Sequence, residues 1–111
     1  MPEGAKPYAQ ASESGTSVRP TRFGRGDPLT IGVEEEYMIL DVETLGLVPR
    51  FQDVLDAVKG SPIDGQVHPE LFTSTVEAAT GICRSIDEAR RELAEIRGTL
   101  GERLAPLGLT I

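Results

Sequence analysis

The residues best suited to chemistry are the glutamates Glu34 to Glu36, inside the strand-like segment "TIGVEEEYMIL". Burying an ionised carboxylate in an apolar medium is costly unless the group is paired or bound to a metal. Because alternate side chains of a strand share one face, Glu34 and Glu36 are predicted to project together, about 7 Å apart at their Cα atoms. Glu35 projects the other way, among apolar residues, where we expect an opening or an arginine partner.

Two like charges at this spacing favour a compensating cation. Mg²⁺ binds carboxylate oxygens and keeps positions open for phosphate. Gly32 lies on the same predicted face and, without a side chain, lets a ligand or a neighbouring backbone approach closely. The segment is therefore predicted to form a metal–phosphate platform on a sheet. On spacing alone, an acidic strand face that simply meets water is the alternative.

A further carboxylate, Glu77, lies among small residues in a second strand-like segment, "STVEAATGIC". On a neighbouring strand it could complete a metal site with Glu34 and Glu36, and an ordinary exposed glutamate is the alternative. Cys83 is interpreted as a small core residue because no partner base is apparent. His68, next to Pro69, is only weak evidence for a metal site or for acid–base chemistry.

The elements that must position these residues follow from periodicity and turn signals. A long strand is predicted over "LTIGVEEEYMILD", followed by a hairpin in "VETLGLVPR" and a helix in "FQDVLDAVKG" that ends at Gly60. "QVHPELF" is predicted to be extended, "STVEAATGIC" to be another strand, and the final "LTI" to begin one more. The chain is therefore predicted to be α+β.

The clearest predicted helix is "SIDEARRELAEIRGTLGERLAPLG". Ser85 and Glu88 have the spacing of an N-terminal capping box. An apolar stripe recurs at helical intervals and predicts a face buried against the sheet. Its members are Ile86, Leu93, Ile96, Leu100 and Leu104. The arginines Arg90, Arg91 and Arg97 are interpreted as part of a solvated charged face.

Composition bounds the class of protein. A chain of 111 residues makes one small domain, and its net charge of −7 argues against a general nucleic-acid binder. The single cysteine, the lack of a membrane-length apolar run and the lack of a secretory signal favour a soluble cytoplasmic protein. Residues 1–27 are poor in aliphatic residues and predict a disordered tail, in which "RGD" is interpreted as chance.

Three motifs in order resemble a known family: the "GVEEEY" strand, the "DVETLGLVPR" hairpin and the "ELFTSTVEAATGIC" segment. Residues 29–111 resemble the N-terminal part of the bacterial carboxylate-amine ligases of the glutamate-cysteine ligase type 2 family. The resemblance implies a fold similar to glutamine synthetase and the guanido kinases, with an antiparallel sheet that cradles ATP and divalent metal. Residues 28–111 would then be an incomplete, N-terminal part of the catalytic domain.

The resemblance also implies roles for particular residues. Glu34, Glu36 and Glu77 match metal-binding carboxylates that would hold Mg²⁺ or Mn²⁺ against the phosphates of ATP. Ser74 and Thr80 flank Glu77 in the motif and are expected, with Gly32, to contact a bound cofactor or substrate. The catalytic residues themselves are not identified.

The implied reaction activates the γ-carboxylate of glutamate as an acyl phosphate, which cysteine or another amine attacks. The 111-residue chain alone is expected to be inactive, and an exposed sheet edge could promote self-association. The alternative is a non-catalytic module that binds metal or nucleotide, or a decayed gene fragment.

Overall fold

The structure is a computed structural model that describes residues 29–111. The predicted disordered tail and its "RGD" lie outside the described residues. Within residues 29–111 the α+β prediction is confirmed, with small antiparallel sheets and two α-helices. The elements are β1 (Glu34–Met38), β2 (Leu40–Asp41), α1 (Phe51–Val58), β3 (Val67–Pro69), β4 (Thr75–Ala79), α2 (Ile86–Leu104), a 3₁₀ turn (Ala105–Leu107) and β5 (Leu109–Thr110).

The main sheet has three strands in the order β1-β4-β3, all antiparallel to their neighbours. The register of β1 on β4 places Glu36 opposite Glu77 and Tyr37 opposite Val76. β2 pairs with β5 in a second, two-stranded ladder. The strand predicted at the end of the chain is thereby confirmed.

The predicted long first strand is divided between two ladders. β1 pairs with β4, whereas β2 pairs with β5, and the fully buried Ile39 lies between them. The predicted hairpin is present as a bridge between Leu40 and Leu47, supported by a 3.0 Å hydrogen bond from the Val48 N–H to the Ile39 carbonyl. Its second strand is confined to that bridge.

The pairing of β1 with β4 continues into the residues just before β1 and just after β4. There it shifts by one residue. Val33 accepts a hydrogen bond from the Thr80 N–H, while Ile31 bridges to Cys83. Two residues, Gly81 and Ile82, therefore lie opposite the single residue Gly32, which is the geometry of a β-bulge.

The helices cover one face of the sheet. The predicted end of α1 is confirmed: the helix stops at Val58, and Gly60 follows with a φ of +72° that glycine adopts without strain. Buried side chains from both helices and from the sheet form one core. Its members are Ile39, Val54, Val58, Ile63, Val67, Val76, Ala78, Ile96, Leu100, Leu104 and Leu109.

The N-terminus of α2 is capped as predicted by Ser85, whose Oγ accepts a hydrogen bond from the Glu88 N–H at 3.1 Å. The Glu88 carboxylate reaches back one residue further than in a standard capping box, to the Arg84 N–H. The predicted burial of the apolar stripe of α2 is confirmed in the C-terminal half of the helix. It is wrong for Ile86, which is 75% exposed. Ala89, one turn further along the helix, is buried instead.

None of the helices in residues 29–111 has the length and apolar character needed to span a membrane.

Candidate functional site

The sheet face turned away from the helices carries the predicted metal ligands. Glu34 and Glu36 alternate along β1 with the half-buried Glu35 and Tyr37, and both project to the exposed side. The alternation predicted for the three glutamates is therefore confirmed. Glu77 on β4 lies directly opposite Glu36, so these two carboxylates occupy neighbouring positions on one face.

The third strand adds two residues to this face. His68 on β3 pairs with Glu77, so Glu36, Glu77 and His68 form one row across all three strands. Glu70 follows two positions after His68, and its carboxyl group lies within hydrogen-bonding reach of that of Glu77. We call the set Glu34, Glu36, His68, Glu70 and Glu77 the acidic face.

Sequence reasoning gave His68 little weight and overlooked Glu70. The signal that could have found them is the i, i+2 spacing in "VHPE", which places both on one side of a strand. The sequence alone, however, does not specify which strand lies beside "STVEAATGIC". It therefore could not align His68 with Glu77.

Like charges perturb the ionisation of Glu77. Its hydrogen bond with Glu70 and the negative charge of Glu34 raise the pKa of the Glu77 carboxyl group, and only His68 acts in the opposite direction. Glu70 instead has a lowered pKa, chiefly because its carboxylate accepts a hydrogen bond from the Leu71 N–H. The two carboxyl groups thus favour a state in which Glu70 is ionised and Glu77 keeps its proton longer. A bound cation would relieve the same repulsion.

The acidic face supplies carboxylate oxygens, the donors that Mg²⁺ and Mn²⁺ prefer. Within residues 29–111, however, no three Asp, Glu, His or Cys side chains are grouped closely enough to hold one metal ion. The donor types and their shared face fit a divalent cation. The assignment of Glu34, Glu36 and Glu77 as joint ligands stays a prediction.

The predicted cofactor-contacting residues lie at the two ends of β4. Gly32 is exposed, and a Cβ added there would meet no atom within 4 Å, so the space beside it is open. The Thr80 hydroxyl accepts a hydrogen bond from the Val33 N–H at 3.0 Å and donates one to the Gly81 carbonyl at 2.9 Å. Ser74 is half-buried, and its carbonyl accepts from the Ile39 N–H at 2.8 Å.

These contacts give Thr80 a structural role within residues 29–111. Its hydroxyl joins the start of β1 to the bulge beside Gly32 and thereby fixes the edge of the acidic face. Ser74 likewise uses its backbone to anchor the chain between β1 and β2. Neither observation tests the predicted contact of these residues with a ligand.

The opposite face of β1 holds Glu35 and its expected arginine partner. Arg97 on α2 donates two hydrogen bonds to the Glu35 carboxylate, from Nη2 at 2.6 Å and from Nε at 3.1 Å. Arg97 is exposed, as the interpretation of a solvated charged face predicts, but its guanidinium also reaches Glu35 on β1, which that interpretation did not include. The Tyr37 hydroxyl oxygen is buried nearby; it makes no hydrogen bond of good geometry within residues 29–111, but it lies close enough to Glu35 and Arg97 to affect their ionisation.

An apolar groove of about 360 Å³ opens beside this ion pair. Ile31 and Val33 form one wall, and α2 forms the other with Leu93, Ala89 and Arg97 among its lining residues. Of the two surroundings predicted for Glu35, an opening or an arginine partner, the arginine is present, and that arginine also lines the groove.

Cys83 is fully buried, which confirms its interpretation as a packing residue. Burial and the nearby negative charges of Glu92 and Glu88 raise the pKa of its thiol, so the reactive thiolate is disfavoured.

Comparison with known proteins covers nearly all of the described chain. The model of "Glutamate-cysteine ligase family 2 (GCS2)" matches residues 30–111. Relatives named "Putative glutamate--cysteine ligase 2" include one from Herpetosiphon aurantiacus, 44% identical over 85 residues, which are 76% of this chain and 22% of the relative. Another, from Verminephrobacter eiseniae, is 36% identical over 89 residues, which are 80% of this chain and 24% of the relative. The chain therefore spans about a fifth to a quarter of the length of these curated relatives.

Proposed function

Since the chain belongs to glutamate-cysteine ligase family 2, we propose that its acidic face forms one wall of the nucleotide and metal site of an ATP-dependent carboxylate-amine ligase. The observation that carries this proposal is the cross-strand pair of Glu36 and Glu77, with Glu34 on the same exposed face. The pKa of Glu77, raised by Glu70 and Glu34, supports it because carboxylates this crowded favour a cation.

In this proposal Glu34, Glu36 and Glu77 hold Mg²⁺ or Mn²⁺, which supplies charge neutralisation at the phosphates of ATP during phosphoryl transfer. His68 lies at the other end of the row that contains Glu36 and Glu77, and both His68 and the neighbouring Glu70 influence the ionisation of Glu77. Gly32 leaves open space at the end of the platform where a phosphate could approach the backbone. Ser74 and Thr80 line the ends of β4 as candidate ligand contacts.

The proposed substrates are glutamate, cysteine or another amine, and ATP. The γ-carboxylate of glutamate would take the terminal phosphoryl group of ATP, releasing ADP, and the amine would then displace phosphate to form an amide. The antiparallel arrangement of β1, β4 and β3 with helices on one side supports a fold of the glutamine synthetase type. We place the protein in the cytoplasm, where such substrates are found.

The decisive experiment is a Mn²⁺ titration followed by electron paramagnetic resonance, with and without ATP. We expect Glu34→Gln, Glu36→Gln and Glu77→Gln each to weaken Mn²⁺ binding at least about tenfold, since each removes one charged oxygen donor. Glu43→Gln is the matched control, because Glu43 is an exposed glutamate in the hairpin turn and is not part of the acidic face. If the wild type and all four variants bound Mn²⁺ with equal affinity, the proposed metal-binding role of Glu34, Glu36 and Glu77 would be disproved.

Catalysis is tested separately with the 111-residue chain. We propose that it does not complete the reaction alone, because it spans only about a fifth of the length of its ligase relatives. ADP release that depends on glutamate and cysteine should therefore stay at background. Clear turnover would show that the 111-residue chain is sufficient for catalysis.

A further inference from the structure

The β-bulge beside Gly32 is held by a side chain of α2. Gly81 and Ile82 lie opposite Gly32, and a bulge leaves its extra residue outside the ladder of backbone hydrogen bonds. The Gly81 N–H instead donates to the carboxylate of Glu92 at 2.8 Å. The Gly81 carbonyl accepts from the Thr80 hydroxyl at 2.9 Å. Side chains therefore satisfy both polar groups of this backbone unit.

The bulge decides which side chain enters the core. Along β4 the even-numbered Val76 and Ala78 are fully buried, so strict alternation would turn Ile82 inward as well. Ile82 is instead 80% exposed, and the next residue, Cys83, is fully buried. The unmatched residue therefore exchanges the two faces of the chain that follows Thr80.

Glu92 shares its side of α2 with Glu88, which lies one turn earlier. The Glu88 carboxylate accepts from the Arg84 N–H at 2.7 Å, so both glutamates bind backbone donors of the connection between β4 and α2. Both are half-buried. Like charges four residues apart on a helix repel each other, and hydrogen bonds from backbone N–H groups to the two carboxylates offset that repulsion. The pair therefore indicates a role in holding the connection.

We propose that Glu92 is a positioning residue for Gly32 and Thr80, at the end of the acidic face. Its carboxylate holds the bulge through the Gly81 N–H, and the bulge sets where Gly32 lies opposite β4 and keeps Cys83 turned into the core. The contact of Gly32 and Thr80 with a nucleotide rests on the proposed function. The hold of Glu92 on the bulge does not, because it depends only on contacts within residues 29–111.

The test compares three variants of the full chain in metal-free buffer without nucleotide. Glu92→Ala removes the acceptor, whereas Glu92→Gln keeps the side-chain length and an acceptor oxygen but removes the charge. Glu95→Ala is the matched control, because Glu95 is an exposed glutamate on the same helix. Urea unfolding of each variant gives the rate of opening expected from its global stability, so only a larger increase counts as opening of the bulge.

The first readout is amide hydrogen exchange of the ¹⁵N-labelled chain. We expect Glu92→Ala to speed exchange at Gly81 by about tenfold or more, with little change at Glu35 and Ala78, which pair in the centre of the ladder. Glu92→Gln should restore most of the protection at Gly81. Glu95→Ala should match the wild type.

The second readout is maleimide labelling of Cys83 in native buffer. Loss of the bulge would turn this thiol outward, so Glu92→Ala should be labelled at least about tenfold faster than the wild type. The pKa of the thiol is raised by burial and also by the charge of Glu92, so removal of that charge would by itself speed labelling. Glu92→Gln removes the same charge and should be labelled at least about threefold more slowly than Glu92→Ala.

A third readout is Mn²⁺ binding with and without ATP, followed by electron paramagnetic resonance. Glu92→Ala should bind Mn²⁺ alone as the wild type does, because Glu34, Glu36 and Glu77 are unchanged. It should bind Mn²⁺ with ATP about threefold or more weakly, since Gly32 is displaced. If the wild type bound neither, the proposed function would be disproved, whereas exchange and labelling would still decide whether Glu92 holds the bulge.

Three results would overturn the inference about Glu92. One is equally slow exchange at Gly81 in the wild type and in Glu92→Ala. Another is equal labelling of Cys83 in Glu92→Ala and Glu92→Gln, which would reduce the effect of Glu92 to its charge. The third is an unchanged affinity of Glu92→Ala for Mn²⁺ with ATP when the wild type binds both.

Discussion

Glu35 on β1 and Arg97 on α2 are joined by two hydrogen bonds of 3.1 and 2.6 Å, although 62 positions separate them in the chain. The Glu35 side chain is 19% exposed and that of Arg97 60%. The pair therefore fastens the long helix to the first strand at the mouth of the apolar groove. Partial burial acts to raise the pKa of Glu35, but the hydrogen bonding and positive charge of Arg97, together with the nearby Tyr37 hydroxyl, outweigh it, and the pKa is lowered.

Removing this arginine should destabilise the fold. We expect Arg97→Ala to lower the free energy of unfolding by about 1–2 kcal/mol, since it leaves the partly buried Glu35 carboxylate without its partner. Urea denaturation followed by circular dichroism measures the change. Arg90→Ala is the matched control, because its 3.7 Å contact with Asp87 is exposed on both sides. Equal losses in the two variants would contradict a special role for the Glu35–Arg97 pair.

The Glu35–Arg97 pair should also give stability a dependence on pH. Because the folded-state pKa of Glu35 lies below its ordinary value of 4.5, its contribution is complete above that pH and is lost as the pH falls through the folded pKa. The difference in stability between the wild type and Arg97→Ala should therefore be constant from pH 6 to 7 and shrink below about pH 4. A difference that persisted unchanged at pH 3 would show that Arg97 acts through packing alone.

Glu77 should show the opposite dependence on pH. Its pKa is raised in the folded state, so ionising it costs stability as the pH rises from 4.5 through the folded pKa. In buffer with a chelator, Glu77→Gln should therefore be more stable than the wild type at pH 7, and the gain should vanish at pH 4. Thermal unfolding at both pH values measures this. Glu102→Gln, at an exposed position on α2, serves as the control; a matching gain there would rule out crowding at the acidic face.

The single thiol should be protected in the folded chain. Cys83 has no exposed surface and a thiol pKa raised by burial, so a maleimide should label it at least about a hundredfold more slowly in native buffer than in 8 M urea. Because the chain has one cysteine, mass spectrometry of the intact protein counts the reaction directly. Labelling at the same rate in both conditions would mean that the strand end carrying Cys83 is open.

The N-terminal cap of α2 should be measurable by substitution of Ser85. Ser85→Ala removes the acceptor for the Glu88 N–H and should lower the free energy of unfolding by about 1 kcal/mol. Ser85→Asp keeps an acceptor at this position and should stay close to the wild type. Loss of stability in both variants would indicate a steric role for Ser85 rather than capping.

Local sequence patterns were sufficient to predict several features of the fold and of the candidate site. Period-two alternation predicted that Glu34 and Glu36 share a face that excludes Glu35, and capping chemistry predicted the start of α2 at Ser85. Both depend on neighbours within a few residues. Local geometry therefore decides them before any distant contact forms.

The features that pattern missed depend on distant parts of the chain. The match of Arg97 to Glu35 depends on how α2 is rotated over the sheet, which a helical stripe defines only coarsely. That stripe also included Ile86, which lies in the first turn and is exposed. The row of Glu36, Glu77 and His68 depends on strand order and register, which a single sequence does not specify.

The alternation of β1 has a consequence for how its length can vary among relatives. A one-residue insertion directly after Val33, with the pairing before it kept, would exchange the faces, turning Glu34 and Glu36 toward α2 and Glu35 and Tyr37 toward solvent. A two-residue change would preserve every face. Length differences in this segment should therefore occur in pairs across the family. A single-residue difference should be accompanied by gain or loss of the bulge at Gly81 and Ile82, where the pairing already absorbs an unmatched residue.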